Sequence, residues 1–101
     1  MKSQNNALNI LGLARKAGKL VLGTTATEHA LRKGQVKALI FASDVAENTK
    51  KKLEPWSRNK KIPIFYLSNK QELGRQFNRE SVGVLGLLDN NFIHALKKYP
   101  G

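Results

Sequence analysis

Apolar positions recur along this chain in two rhythms that alternate from end to end: stripes spaced three to four residues apart, and short unbroken runs. Ala7, Leu8, Ile10, Leu11 and Ala14 make one wide stripe, which predicts a helix over residues 5–15. Gly18 suits the left-handed residue that stops such a helix, and Arg15 and Lys16 complement its negative end. Leu-Val-Leu at 20–22 reads as a short strand. Residues 23–34 then form a second helix with both ends written in. Thr25 and Glu28 have capping-box spacing, and Gly34 can terminate it. Ala-Leu-Ile-Phe-Ala at 38–42 is apolar at every position, so helices should cover that strand from both sides.

The second half repeats the alternation. A turn over 44–48 leads to a basic helix over 49–60, which Pro55 should kink or split. A strand over 62–67 has Pro63 near its start, and Ser68 or Asn69 can cap a helix running to residue 77. A loop over 78–81, a strand over 82–88 and a closing helix over 90–99 complete the chain. Gly83 and Gly86 lie in the last strand without the helix fingerprint of a nucleotide loop, so they mark close packing. The pattern predicts an α/β layered fold in one domain spanning 1–101.

Composition narrows the class. With 101 residues, 41% hydrophobic and 25% charged, the balance is that of a globular chain rather than a disordered one. The longest apolar run is of strand length, which excludes a membrane span, and the polar first six residues do not have a signal-peptide layout. The absence of cysteine excludes disulfides and thiolate metal sites, and a cytoplasmic address follows. Charge changes the picture most. Lys and Arg number 18 against 7 Asp and Glu, a net +11. Residues 1–61 hold 13 basic and 4 acidic side chains, against 5 and 3 in residues 62–101, so the excess is uneven. A positive face of this kind fits a polyanionic partner, and phosphate backbone is the commonest one.

Catalytic constellations are nearly absent. His29 and His94 lie far apart without metal-ligand spacing, and there is no phosphate-binding loop and no nucleophile elbow. The expectation is a protein that is not an enzyme, with no metal and no cofactor. Asp44 stands at a strand end where ligands gather in α/β sheets, but it reads as a turn or helix cap.

The best functional element is the junction of Gly23 with the second helix. A glycine lets foreign backbone approach closely, and amides at a helix start offer partial positive charge to phosphate. Thr24, Thr25 and Thr27 add hydroxyls; Lys19 lies just before, and His29 and Arg32 follow, with Lys33 beside them as a phosphate contact. An ordinary capped amphipathic helix could carry the same residues. Lys50, Lys51 and Lys52 with Arg58, Lys60 and Lys61 read as a solvated helix face that raises RNA affinity without specificity. Trp56 and Tyr66 fall in apolar patterns and read as core.

These motifs together carry a resemblance. Lys-Ala-Gly-Lys-Leu-Val-Leu-Gly at 16–23, the helix ending at Gly34, and Val-Lys-Ala-Leu-Ile-Phe-Ala-Ser-Asp at 36–44 resemble the kink-turn-binding ribosomal protein superfamily, which includes the large-subunit proteins "L-seven-Ae" and "L-thirty-e". The likeness continues through Lys-Ile-Pro-Ile-Phe-Tyr at 61–66 and Ser-Asn-Lys-Gln-Glu-Leu-Gly at 68–74, and is nearest to small bacterial members of the YlxQ type. It implies a three-layer α/β/α sandwich around a mixed four-stranded sheet, and recognition of a kink-turn, a sharply bent RNA helix with tandem sheared G·A pairs. The resemblance assigns base-pair reading to the first turn after Gly23, through Thr24, Thr25, Ala26 and His29. It assigns cover of the extruded nucleotide to Arg79, Glu80, Ser81 and Val82. Archaeal members carry Asn, Glu and Lys where this chain has Thr25, Ala26 and His29, so the polar contacts of Glu are missing here.

Three function classes follow. The first is a monomeric RNA-binding protein associated with the ribosome. The second is an accessory domain of an RNA-modifying enzyme, which the missing cofactor loop disfavours. The third is an adaptor whose basic face docks an acidic protein.

Overall fold

The computed structural model describes residues 2–98. Five helices and four strands alternate: α1 Lys2–Lys16, β1 Leu20–Leu22, α2 Thr24–Arg32, β2 Ala38–Phe41, α3 Glu47–Lys60, β3 Ile64–Tyr66, α4 Lys70–Gln76, β4 Val84–Leu87 and α5 Asn90–Lys97. The end of the closing helix expected at Tyr99 lies outside the described residues. No helix among the described residues is long and apolar enough to cross a membrane.

The sheet is mixed, with strand order β1-β4-β2-β3. β4 runs antiparallel to both β1 and β2, while β2 and β3 are parallel. Strand side chains alternate between faces, so β2 and β4 feed two separate cores. Ala38, Ile40, Leu85 and Leu87 meet Ala7, Leu11, Leu73 and Leu96 of α1, α4 and α5 on one face. Leu39, Phe41 and Val84 meet Ala30, Leu31 and Leu53 of α2 and α3 on the other. This is the three-layer α/β/α sandwich expected, and it explains why β2 and β4 are buried at every position. Gly86 faces α2, where an added Cβ would stand 2.9 Å from Val21 Cγ2 and 3.3 Å from Thr27 Cγ2. Close packing was the sequence reading of this glycine, and here it seats the helix that begins the candidate site.

Local expectations fail in three places. The capping box does not form: α2 starts at Thr24, which puts Thr25 inside the helix, and the N-cap Gly23 makes no side-chain hydrogen bond. Glu28 instead pairs with Arg32 at 3.4 Å and with Lys52 of α3 at 3.3 Å. Pro55 does not split α3, which runs unbroken and starts two residues earlier than expected. Leu53, fully buried, and Trp56, packed on the same core, hold both sides of the proline against the sheet. Tyr66 is not core. It ends the edge strand β3 and is 47% exposed, its ring tilted on Phe41 at 5.7 Å with the Lys50 ammonium 5.5 Å from its centroid. Asp44 behaves as a cap: its Oδ1 accepts from the backbone N–H of Lys70 at 2.8 Å, at the start of α4. Asn69, not Ser68, is the N-cap of that helix, accepting from Glu72 N–H at 2.8 Å.

Candidate nucleic-acid interface

The turn from β1 into α2 is a single residue. Gly23 donates its N–H to Val84 O at 2.9 Å and accepts from Thr27 N–H at 3.0 Å, which anchors the helix start to the sheet. Its φ of 88° lies in the left-handed half of backbone space, which glycine enters without a Cβ penalty. The chain therefore reverses at once, and the first N–H groups of α2, which have no partner inside the helix, face outward at the sheet's end. Partial positive charge from the helix dipole adds to them.

This helix start forms one wall of an open groove of ≈ 630 Å³, in which Thr24, Thr25, Ala26 and His29 lie opposite Arg79. Thr25, Ala26, His29 and Arg79 are exposed, and Gly23 and Thr24 are half-buried. Two segments fifty or more residues apart in sequence thus share one concavity. Gln35 also lines it, and no sequence signal marked that residue.

The loop carrying Arg79 is held by α4. Arg79 N–H donates to Gly74 O at 2.8 Å, and Val82 N–H donates to Lys70 O at 3.0 Å. The loop lies so close to the helix that a Cβ on Gly74 would stand 2.6 Å from Arg79 O and 2.7 Å from Ser81 Cα. Both obstacles are backbone, so any side chain at 74 displaces the loop. Glu80 and Ser81 are exposed beside the groove, whereas the Val82 side chain is 4% exposed and belongs to the core. Thr27 is also removed from the surface: it is fully buried against the sheet, and its Oγ1 has no hydrogen-bond partner. The hydroxyl expected there for RNA points inward.

The remaining cations of the sequence reading lie elsewhere. Lys19 precedes β1 and accepts from Leu88 N–H at 2.9 Å, at the opposite end of the strand from Gly23. Four residue steps along the strand separate them, about 13 Å. Arg32 and Lys33 end α2, about 12 Å along the helix from Thr24. Lys37 donates its N–H to Leu87 O at 2.7 Å, next to the bond made by Lys19, and shares a second open concavity with Gly34, Lys60 and Lys61. One edge had been expected to bear Lys19, Thr24, Thr25, His29 and Arg32; the fold divides these residues between two ends of the molecule.

Residues 5–97 match the model of the ribosomal protein L7Ae/L30e/S12e/Gadd45 family. The RNA-binding protein YlxQ of Enterococcus faecium is 33% identical over 96 residues, covering 95% of this chain and 92% of that protein. The large ribosomal subunit protein eL30 of Candida albicans is 33% identical over 90 residues, covering 87% and 85%. Among solved structures, the 15.5kD RNA binding protein of Giardia lamblia superposes with a TM-score of 0.77 at 18% identity, covering 98% of this chain and 88% of that one.

Proposed function

The chain belongs to the ribosomal protein L7Ae/L30e/S12e/Gadd45 family, and on that footing we propose that it is a non-catalytic protein that grips kink-turned RNA, associates with the ribosome and acts as a monomer. The observation that carries this reading is the shared groove: Gly23, Thr24, Thr25, Ala26 and His29 line it together with Arg79. The family resemblance assigns base-pair contacts to the first segment and the extruded nucleotide to the second. Unpaired helix-start amides suit the bent backbone, the Thr24 and Thr25 hydroxyls suit base edges, and Arg79 reaches the groove from the opposite wall. Lysines at the far end of α2 and α3 add charge attraction that every RNA feels equally.

Ala26 makes the grip looser than in relatives with Glu at that position. Backbone amides and Thr25 carry what base reading remains. The test is a pair of titrations at one salt concentration, against a kink-turn hairpin and a straight duplex of equal length. The expected result is tighter binding to the kink-turn and a steep loss of both affinities as salt rises. Equal affinity for the two RNAs overturns the reading.

A further inference from the structure

Arg79 borders a second concavity on its other side. This one, ≈ 310 Å³, lies between the end of α1 and the α4–β4 loop and is lined by Gly12, Arg15, Lys16, Gln76, Phe77 and Asn78 together with Arg79 and Leu22. From this arrangement we propose that it is a binding site for one single-stranded nucleotide flanking the RNA element held at α2, an extension that rests on the RNA-binding reading above.

Its chemistry is that of a nucleotide and not of a generic anion. Arg15, Lys16 and Arg79 supply three exposed cations, and none of the lining residues is acidic. Gln76 and Asn78 are exposed amides, each offering both donor and acceptor, the pairing that base edges require. The half-buried Phe77 ring gives the pocket an apolar wall. The Watson–Crick edges of a base are free to reach such amides only when the strand is unpaired, because in a duplex they are taken up by the partner base. The volume is that of a small-molecule-sized group.

The pocket is also held in shape. The Arg15 guanidinium donates to Leu20 O at 3.3 Å, which ties the end of α1 to the edge strand. A Cβ at Gly12 would stand 3.0 Å from Gln76 Nε2, so the glycine leaves room for that amide against α1. Asn78 has a φ of 59°, a left-handed conformation that Asn tolerates better than most residues, and its neighbour Arg79 is bonded to Gly74. Because Arg79 and Leu22 line both grooves, a strand leaving the first enters the second without crossing unlined surface.

The experiment compares a blunt kink-turn hairpin with the same hairpin carrying a four-nucleotide single-stranded tail, using the wild type and the double variant Gln76→Ala, Asn78→Gly. Both changes remove an amide without altering charge, and glycine preserves the backbone at 78. The tail should tighten wild-type binding by about tenfold, as two or three modest hydrogen bonds and partial stacking allow. The double variant should lose that gain and keep its affinity for the blunt hairpin. A tail that adds nothing to wild type, or a gain that survives in the variant, overturns the proposal while leaving the kink-turn reading intact. The tetranucleotide alone is also titrated and followed by the side-chain amide resonances of Gln76 and Asn78. Shifts at those two groups support the pocket even if kink-turn preference fails, and shifts confined to other residues reject it.

Discussion

The two ends of α2 contrast in kind. At its start, the groove of Gly23, Thr24, Thr25 and Ala26 is short of charge and rich in directed groups: free amides, two hydroxyls and a facing arginine. At its finish, the concavity shared by Gly34, Lys37, Lys60 and Lys61 offers three ammonium groups beside apolar Leu31, Val36 and Ile62, with no hydroxyl or amide side chain in its lining. Phosphate is attracted to both, and in the function proposed above the first end is the one that tells one RNA fold from another, because hydrogen-bond geometry discriminates and point charge does not. That proposal separates specificity from bulk affinity by about the length of a short helix, and under it net positive charge is a poor guide to where RNA is read.

The sharpest way to break this contrast is Gly74→Ala. The added Cβ meets backbone at 2.6–2.8 Å, so the 79–81 loop must move, at a cost of about 1–3 kcal/mol in stability. Kink-turn affinity should fall well beyond tenfold while duplex binding is nearly unchanged, as titration of the folded variant alongside its thermal melt will show. Retained preference would mean the loop takes no part in reading RNA.

Arg79→Ala should act at the same end with a smaller reach. Loss of one directed arginine contact is worth roughly 1–3 kcal/mol of discrimination, seen as a narrowed gap between the two titrations. Should both affinities fall in parallel instead, Arg79 belongs with the bulk charge and the contrast dissolves.

The opposite direction is open through Thr25→Asn with Ala26→Glu, which restores polar groups at the helix start. Kink-turn binding should tighten by about tenfold with duplex binding held or slightly weakened by the added negative charge. Unchanged discrimination would place the G·A edges out of reach of this helix.

The smallest effect is expected at the far end. Lys61→Gln should weaken both RNAs by about the same few-fold factor and lower the salt slope by roughly one, which a titration series across salt concentrations measures. A selective loss of kink-turn binding there would reverse the assignment of the two ends.

Much of the fold was legible residue by residue. An apolar stripe located the first helix and end signals the second, all five helices were expected in order, Gly18 and Gly34 marked where two of them stop, and the fully apolar 38–42 run announced a strand covered on both faces. The junction of Gly23 with α2 was legible as a candidate site, but the positive φ that makes Gly23 the turn itself came only from the structure. What failed to read correctly depended on partners distant in sequence. Glu28 left its capping role for cations on its own helix and on α3. Pro55 was tolerated because Leu53 and Trp56 are pinned to a core. Tyr66 came out exposed because β3 lies at the edge of the sheet.

The sequence by itself determined the order and type of the elements and how basic the chain is, because periodicity, turn chemistry and charge are read along one dimension. Only the tertiary structure decided that β4 threads antiparallel between β1 and β2. That insertion sets the loop before β4 beside the turn after β1, and so brings Arg79 to Gly23, while it leaves Lys19 and Lys37 together at the other end. Strand pairing is chosen by burial on both faces of a sheet, a sum over residues scattered through the whole chain that no local pattern contains.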